Sequence, residues 1–418
     1  MTVILIVGGG VGGLAAALTT AARGFEVVVL ERNDTFTELG AGIQLAPNSF
    51  HALDRIGVGD QVRSRSVHID DLRLMDGTTG ELVVRLPLTS DYQTRFGNPY
   101  AVVHRNDLYQ PLLDTCRRNE AVALRGGSPV VGYTQDETGG TVLLRDGRRE
   151  RFDVLIGADG IRSTVRRQLV GDGDPRLSGH TIYRCLLPMS QVPESLRYNA
   201  VTLWAGPKWH FVHYPIADGT YLNVAATRDD GAQHLVAGDP VDVSDVREAF
   251  SELTGTPRRI LELGRDWRTW VLCDRNPLNT WTDGRVALLG DAAHPMLQYA
   301  AQGAGMALED AVVLGDVLAP DGNVANQLHA YNSARRERVA KVQLTSRAMG
   351  AFLYHPSGAA ARTRNERLSS LSPSELHDTV AWLHGARDFA HRDGDTGQLL
   401  SDASSSADSG SWNVSAMM

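Results

Sequence analysis

Cysteine is scarce: Cys116, Cys185 and Cys273 are the only three in 418 residues, and they are widely scattered. That pattern supports neither a disulfide framework nor a cysteine metal cluster, so no metal site is expected and a reducing compartment fits. Positive charge is in the minority, 41 Lys and Arg against 49 Asp and Glu, for a net charge of −8. This disfavours nucleic acid or an anionic membrane as the main partner. No stretch is long and apolar enough to read as a bilayer span. The first 22 residues carry no charged side chain and resemble a signal peptide in that respect. However, the basic leading segment is missing, and "VGGGVGG" breaks the apolar run with five glycines. A cytoplasmic protein is the expectation. No internal repeat is present. The closing "SDASSSADSGSWNVSAMM" is serine-rich and poor in apolar residues, and residues 401–418 are expected to be a disordered tail.

What is present is an ordinary globular composition, 42% hydrophobic and 22% charged. The chain is long enough for its core to split into two domains. "VILIV" is a continuous apolar run suited to a strand covered on both faces, "LAAALTTAARG" reads as a helix ended by Gly24, and "EVVVLER" as a second strand. Strand–turn–helix units recur at "DVLIGADGIRSTVRRQL" and "RVALLGDAAHPMLQYAAQGAGMALEDA". Between them, "AVTLW", "WHFVHYPI" and "TYLNVAAT" predict strands of an antiparallel sheet. "HRNDLYQPLLDTCRR" predicts a helix capped by Asn106 or Asp107. The fold class is therefore α/β: one doubly wound, Rossmann-like domain interrupted by a β-sheet domain.

Three motifs carry chemistry. Gly8-x-Gly10-x-x-Gly13 closes the first strand and opens a helix, and Glu31 ends the second strand. Gly8 permits the tight turn, Gly10 lets a pyrophosphate approach the backbone, and Gly13 lets helix and strand pack closely. Glu31 stands where a carboxylate accepts ribose hydroxyls. The pattern specifies a dinucleotide without separating NAD from FAD. Gly157-Ala158-Asp159-Gly160, with Asp153, Ser163 and Arg166, forms the second motif, and Gly290-Asp291 the third. Asp159 and Asp291 also have a plainer reading as helix caps. Arg32 could be a solvated surface charge or an adenine contact. Gln302-Gly303-Ala304-Gly305 offers bare backbone N–H groups at a helix start, suited to an anion or simply to close helix packing.

These three motifs, in this order and at these separations, resemble the single-component FAD-dependent aromatic hydroxylases over residues 1 to about 350. "GAGIQLAPNS" and "VHRNDLYQPLL" are similar too, and Arg105 in the latter matches an arginine near the flavin. "TLWAGPKWHFVHYPIADG" looks most like the 3-hydroxybenzoate 6-hydroxylase and salicylate hydroxylase type. The resemblance implies an FAD-binding domain built from 1–70, 100–178 and 270–350. It also implies a substrate-binding sheet domain from 71–99 and 179–269, and a helical C-terminal region at 351–400. It implies that Asp291 binds the ribityl chain, with Asp159, Gly303 and Ala304 beside the flavin.

In that family NAD(P)H reduces FAD, O2 adds to give a C4a-hydroperoxide, and its distal oxygen attacks an activated phenol. NADH is the expected reductant, with NADPH the alternative. No second G-x-G-x-x-G, redox cysteine pair or W-x-W-x-I-P halogenase signature is present, and the extra C-terminal domain of the larger phenol hydroxylases is not expected. His213 matches a position at which a neutral imidazole would accept the phenolic proton, although a hydrogen-bonded sheet histidine is an equal reading. His210 lies three residues away and on a strand would face the opposite side. Gln298 would orient the hydroxyl or the hydroperoxide, or bond the backbone as a loop amide. His294, turned by Pro295, reads as structural. A substrate carboxylate calls for an arginine that the sequence does not single out. The expected reaction is 3-hydroxybenzoate to gentisate. Salicylate 1-hydroxylation with decarboxylation to catechol is the alternative, and a non-catalytic FAD-binding regulator is the rival from another class. A homodimer is what the resemblance implies for assembly.

Overall fold

The computed structural model describes residues 2–37, 40 and 42–390. The expected tail at 401–418, and 391–400 of the C-terminal region, lie outside the described residues. The first strand, Val3–Val7, is flanked in one sheet by Val154–Gly157 and Glu26–Leu30, both parallel to it. Val286–Leu288 continues the sheet beyond Val154–Gly157, and Val122–Arg125 beyond Glu26–Leu30, again in parallel. Thr282–Asp283 forms the one antiparallel edge of this sheet. Because the central strands run the same way, the segments after Val7, Leu30, Gly157 and Leu288 emerge at one edge. That edge is where open α/β sheets bind ligands.

The glycines of the first turn are required by contact. Gly8 has φ +108°, and a Cβ there would lie 2.3 Å from the Ala158 carbonyl oxygen. A Cβ on Gly13 would lie 2.0 Å from the Gly8 carbonyl oxygen. Only glycine lets the helix Val11–Ala21 start this close to the strand that precedes it.

The second large sheet has eight strands, in the order Ala237–Pro240, Arg268–Asp274, Arg176–Pro188, Tyr221–Asp229, Trp209–Ile216, Ala200–Gly206, Asp71–Asp76, Leu82–Pro87. The expectation of an antiparallel sheet needs one correction: Ala200–Gly206 pairs in parallel with Asp71–Asp76. The reason is topological, since the early hairpin Asp71–Pro87 joins the sheet from a distant part of the chain. Arg176–Pro188 and Arg268–Asp274 also reach past the limits of 179 and 269 drawn from sequence. A second correction concerns the helix Arg105–Arg118. His104 caps it, accepting from the Asn106 N–H, so the expected cap lies two residues late or more.

The 26-residue helix Val324–Met349 continues into a π-helical turn, Gly350–Tyr354. Two further helices, Gly358–Ser369 and Pro373–His384, pack against the edge strand Leu82–Pro87. No helix among the described residues is long and apolar enough to cross a membrane.

A buried ionic cluster joins the helix Gly303–Val317 to Val324–Met349. Arg335 is fully buried and donates from Nε to Asp310 at 2.8 Å, and its guanidinium also contacts Glu309 at 2.8 Å. Arg338 adds a second cation to Glu309 at 2.8 Å. Burial alone would raise both carboxyls. His294 and Arg335 at Asp310, and Arg338 and Arg335 at Glu309, outweigh it and hold both below their ordinary values. Removing one side of such a cluster strands the other. Arg335→Ala is expected to cost about 3–5 kcal/mol of stability. Denaturant titration followed by tryptophan fluorescence will show this as a lowered midpoint.

Candidate active site

A cavity of about 1070 Å³ runs from the glycine turn of the parallel sheet to one face of the eight-stranded sheet. Gly8, Gly10, Glu31, Arg32, Arg105, Asp159, Asp291, Gly303, Ala304 and Gln298 all line it. Residues as far apart in sequence as Gly8 and Ala304 thus share one wall. Of the residues singled out from sequence, Gly13 is in the packing behind the turn rather than on the wall, and His213 is discussed below.

At the glycine end the geometry fits a dinucleotide. Apart from the adjoining backbone, no atom of the described residues lies within 4 Å of where a Cβ on Gly10 or on Gly303 would stand, so both backbones face open space. The helices Val11–Ala21 and Gly303–Val317 have no side-chain cap and no acidic residue in the first turn. Their leading N–H groups and dipoles are therefore available to anions at two points of the same cavity. The Glu31 carboxylate is held across the turn, accepting from Gly9 N at 2.9 Å and from Asn33 N at 3.0 Å. Lone pairs remain for a hydroxyl donor.

The two aspartates differ in their partners. Asp159 accepts from the Ser163 hydroxyl and from Thr164 N at 2.7 Å, at the start of the helix Thr164–Leu169. It stabilises that helix while lining the cavity, and burial pushes its carboxyl up from the usual range. Asp291 is exposed on the cavity wall and accepts no hydrogen bond from the protein among the described residues. The capping reading fails for Asp291. Arg166 is buried and donates to the carbonyls of Ala292 and Ala293, at 3.0 and 2.6 Å, so it braces the segment just after Asp291. His294 is structural, 2.5 Å from Asp310.

At the other end of the cavity strand parity decides which histidine is presented. On Trp209–Ile216, His210, Val212 and Tyr214 line the cavity. His213 does not. It points through the sheet to the opposite face, where Trp204 Nε1 donates to its Nε2 at 3.2 Å. Burial, with a smaller contribution from Arg73, lowers its pKa to about 3. The expectation that His213 is the base is therefore corrected: its accepting nitrogen is already used, and it faces the wrong way. His210 takes the place at the cavity. Its Nδ1 lies 2.8 Å from His355 Nε2, which leaves Nε2 for a ligand. Burial first, then the neighbouring His355 and His180, lower its pKa well below 6.5, so the ring is neutral at physiological pH.

Sequence reading also missed Arg184. It lines the cavity from the strand Arg176–Pro188 and donates to Gln298 Oε1 at 2.5 Å, with its guanidinium 5.6 Å from the Trp270 ring centroid. The signal was parity again: Arg184 pairs with Ala225, which also lines the cavity, while Tyr183 packs on Phe250 behind the sheet. Ala301, between Gln298 and Gln302, has φ +53°, a left-handed turn that aims the helix start at the cavity.

Residues 1–346 match the family described as FAD binding domain. The chain is 46% identical to 3-hydroxybenzoate 6-hydroxylase 1 of Aquipseudomonas alcaligenes over 382 residues, 91% of this chain and 97% of that one. It is 40% identical to 3-hydroxybenzoate 6-hydroxylase of Polaromonas naphthalenivorans, over 91% of this chain and 95% of that one. Among solved structures, a salicylate hydroxylase–substrate complex superposes with a TM-score of 0.79 at 26% identity, covering 93% and 96% of the two chains. The cradle at the glycine end, the match over residues 1–346 and these relatives lead to one conclusion: the chain belongs to the FAD-binding family of single-component aromatic hydroxylases and is an FAD-dependent monooxygenase.

Proposed function

We propose that the protein hydroxylates 3-hydroxybenzoate para to its hydroxyl group, giving gentisate, with NADH as reductant and O2 as oxidant. The observation that carries this reading is the convergence of His210, Gln298 and Arg184 at the sheet end of the cavity. The substrate names of the relatives agree with it. Bound FAD supplies the redox chemistry, passing electrons from the nicotinamide to oxygen.

The chain's own residues do the rest. The phenolic O–H donates to His210 Nε2, and the proton moves to that nitrogen. The resulting phenolate is rich in electron density ortho and para to its oxygen, where an electrophilic oxygen is to be accepted. Arg184 meets the carboxylate, and its existing bond to Gln298 fixes the direction of both side chains. Gln298 Nε2 donates a long hydrogen bond to Thr227 Oγ1 at 3.5 Å and keeps its second hydrogen for the substrate oxygen. At the cofactor end we assign the pyrophosphate to the Gly8–Gly13 turn and the adenosine ribose to Glu31, with Arg32 beside the adenine. Asp291 would accept from the ribityl hydroxyls. The N–H groups of Gly303 and Ala304 would stabilise the negative charge of the reduced flavin. Arg105 and Asp159 line the flavin's place. We assign the FAD-binding and substrate domains to the segments expected from sequence, except that Arg176–Pro188 and Arg268–Asp274 carry the sheet of the substrate domain across the limits at 179 and 269.

NADH oxidation measured with a panel of hydroxybenzoates, with product identification, tests the substrate. Gentisate from 3-hydroxybenzoate is the expected product. Catechol from salicylate would favour the decarboxylating alternative, and no stimulation by any aromatic acid would favour a regulator. Asp291→Ala removes a charged hydrogen-bond acceptor, worth about 1.5–3 kcal/mol. FAD titration of the apoprotein should show affinity weakened on the order of 10- to 100-fold, with the far-UV spectrum unchanged. His210→Gln should lower hydroxylation by about 10²–10⁴-fold, while His213→Gln retains turnover and loses stability. In the native enzyme the base is lost only as pH falls through the lowered pKa of His210. The acid limb of kcat/KM should therefore lie below about 6.5. Arg184→Gln should raise KM for 3-hydroxybenzoate far more than for a phenol lacking the carboxylate. Equal effects on both substrates would remove Arg184 from carboxylate binding.

A further inference from the structure

His210 is only 1% exposed, and burial keeps its imidazolium form unfavourable. A proton taken from a phenol cannot rest there, so it needs a way out. The residues behind the ring supply one. His210 and His355 are stacked, with centroids 5.0 Å apart and planes 27° apart, and their Nδ1 and Nε2 atoms are 2.8 Å apart. The His355 ring is edge-on to His180 at 5.1 Å. One ring nitrogen from each of His180 and His355 and a carboxylate oxygen of Asp229 all lie within 4.8 Å of one another. His180 Nε2 is 3.9 Å from Asp229 Oδ1, and its Nδ1 is bonded to the Tyr299 hydroxyl at 2.5 Å. Gaps of this size are spanned by one water or a small ring rotation.

Exposure rises along the series. The His180 side chain is 15% exposed and that of Asp229 38%. Burial lowers the pKa of His355, to about 3, and of His180. At His180 the Asp229 and Asp230 carboxylates oppose that effect, with Arg176 acting against them. A proton on this series is thus least unfavourable at the end beside the carboxylates. Tyr354 and Tyr299 wall the rings, and burial raises both hydroxyls, so neither competes as an acid. Three imidazoles from Trp209–Ile216, from Arg176–Pro188 on the far side of Tyr221–Asp229, and from the turn after Tyr354 have no packing reason to meet here, since apolar side chains would fill the space without desolvated nitrogens.

We propose that His355 and His180, ending at Asp229, form a relay that carries the substrate's phenolic proton from His210 to solvent. The proposal rests on the reading of His210 as the base. The phenol O–H bond breaks as the His210 Nε2–H bond forms, and the proton on His210 Nδ1 passes to His355 Nε2. The proton on His355 Nδ1 crosses to His180 Nε2, which releases it beside Asp229 to water. Both His210 and His355 end neutral in the other tautomer, and the net change is one proton moved from phenol to solvent with no change in oxidation state.

The test uses the oxidised FAD-loaded enzyme, mixed rapidly with 3-hydroxybenzoate in weak buffer containing a pH-indicator dye. Phenolate absorbance and proton release are followed together. The native enzyme should form phenolate and release a proton. His355→Gln and His180→Gln should slow release on the order of tenfold or more, with FAD content and substrate Kd unchanged. Added imidazole should restore the rate in His180→Ala, a rescue that a purely structural role would not give. Release at the native rate in both glutamine variants, with phenolate still forming, would overturn the relay and leave the base in place. Native phenolate formation in His210→Gln would instead overturn the base, and the relay with it.

Discussion

The Asp310 carboxylate is the contact on which the site depends. One oxygen accepts from Gly290 N at 3.1 Å and lies 2.5 Å from His294 Nε2, and the other accepts from Arg335 at 2.8 Å. A single buried side chain thereby ties the end of the strand Val286–Leu288, the turn carrying Asp291 and two long helices to one another. A buried anion is tolerable only with such a set of partners. Those partners hold Asp291 and the start of Gly303–Val317 on the same wall of the cavity. Arg166, braced against Ala292 and Ala293, fixes the same segment from the other side.

The substrate end obeys a different constraint, the two-residue period of a strand. His210 and His213 are three apart, so one must face the cavity and the other the core behind the sheet. The pairing of Trp209–Ile216 with Ala200–Gly206 sets His213 opposite Thr202 and beside Trp204, among residues that pack with Phe211. A slip of one residue in Trp209–Ile216 would exchange the two histidines, and the same slip in Arg176–Pro188 would turn Arg184 behind the sheet. Register therefore decides the chemistry offered to a ligand, through backbone hydrogen bonds that touch no ligand themselves.

Two kinds of positive potential meet in the cavity. Helix starts supply it at the dinucleotide end, where charge can be spread over backbone N–H groups. Arg184 supplies it at the sheet end as a discrete, directional group. The first suits phosphates and a delocalised flavin edge, and the second a carboxylate. The separation suits a long cofactor at one end of the cavity and a small aromatic acid at the other.

Sequence alone determined the nucleotide end. Glycines at a strand tip and an acid after the next strand act over a few residues of backbone, and local spacing encodes them directly. The alternation of strand and helix likewise specified the doubly wound sheet. The sequence left open whether Asp159 and Asp291 were caps, because a cap and a ligand acceptor have the same residue type in the same place. Only the fold separated them, by giving Asp159 the partners Ser163 and Thr164 and giving Asp291 none among the described residues. It also decided the identity of the cavity histidine, the presence of Arg184 and the stacking of His355 on His210. Each of these depends on strand register or on the meeting of segments more than 100 residues apart, and neither is written in the spacing of neighbouring residues.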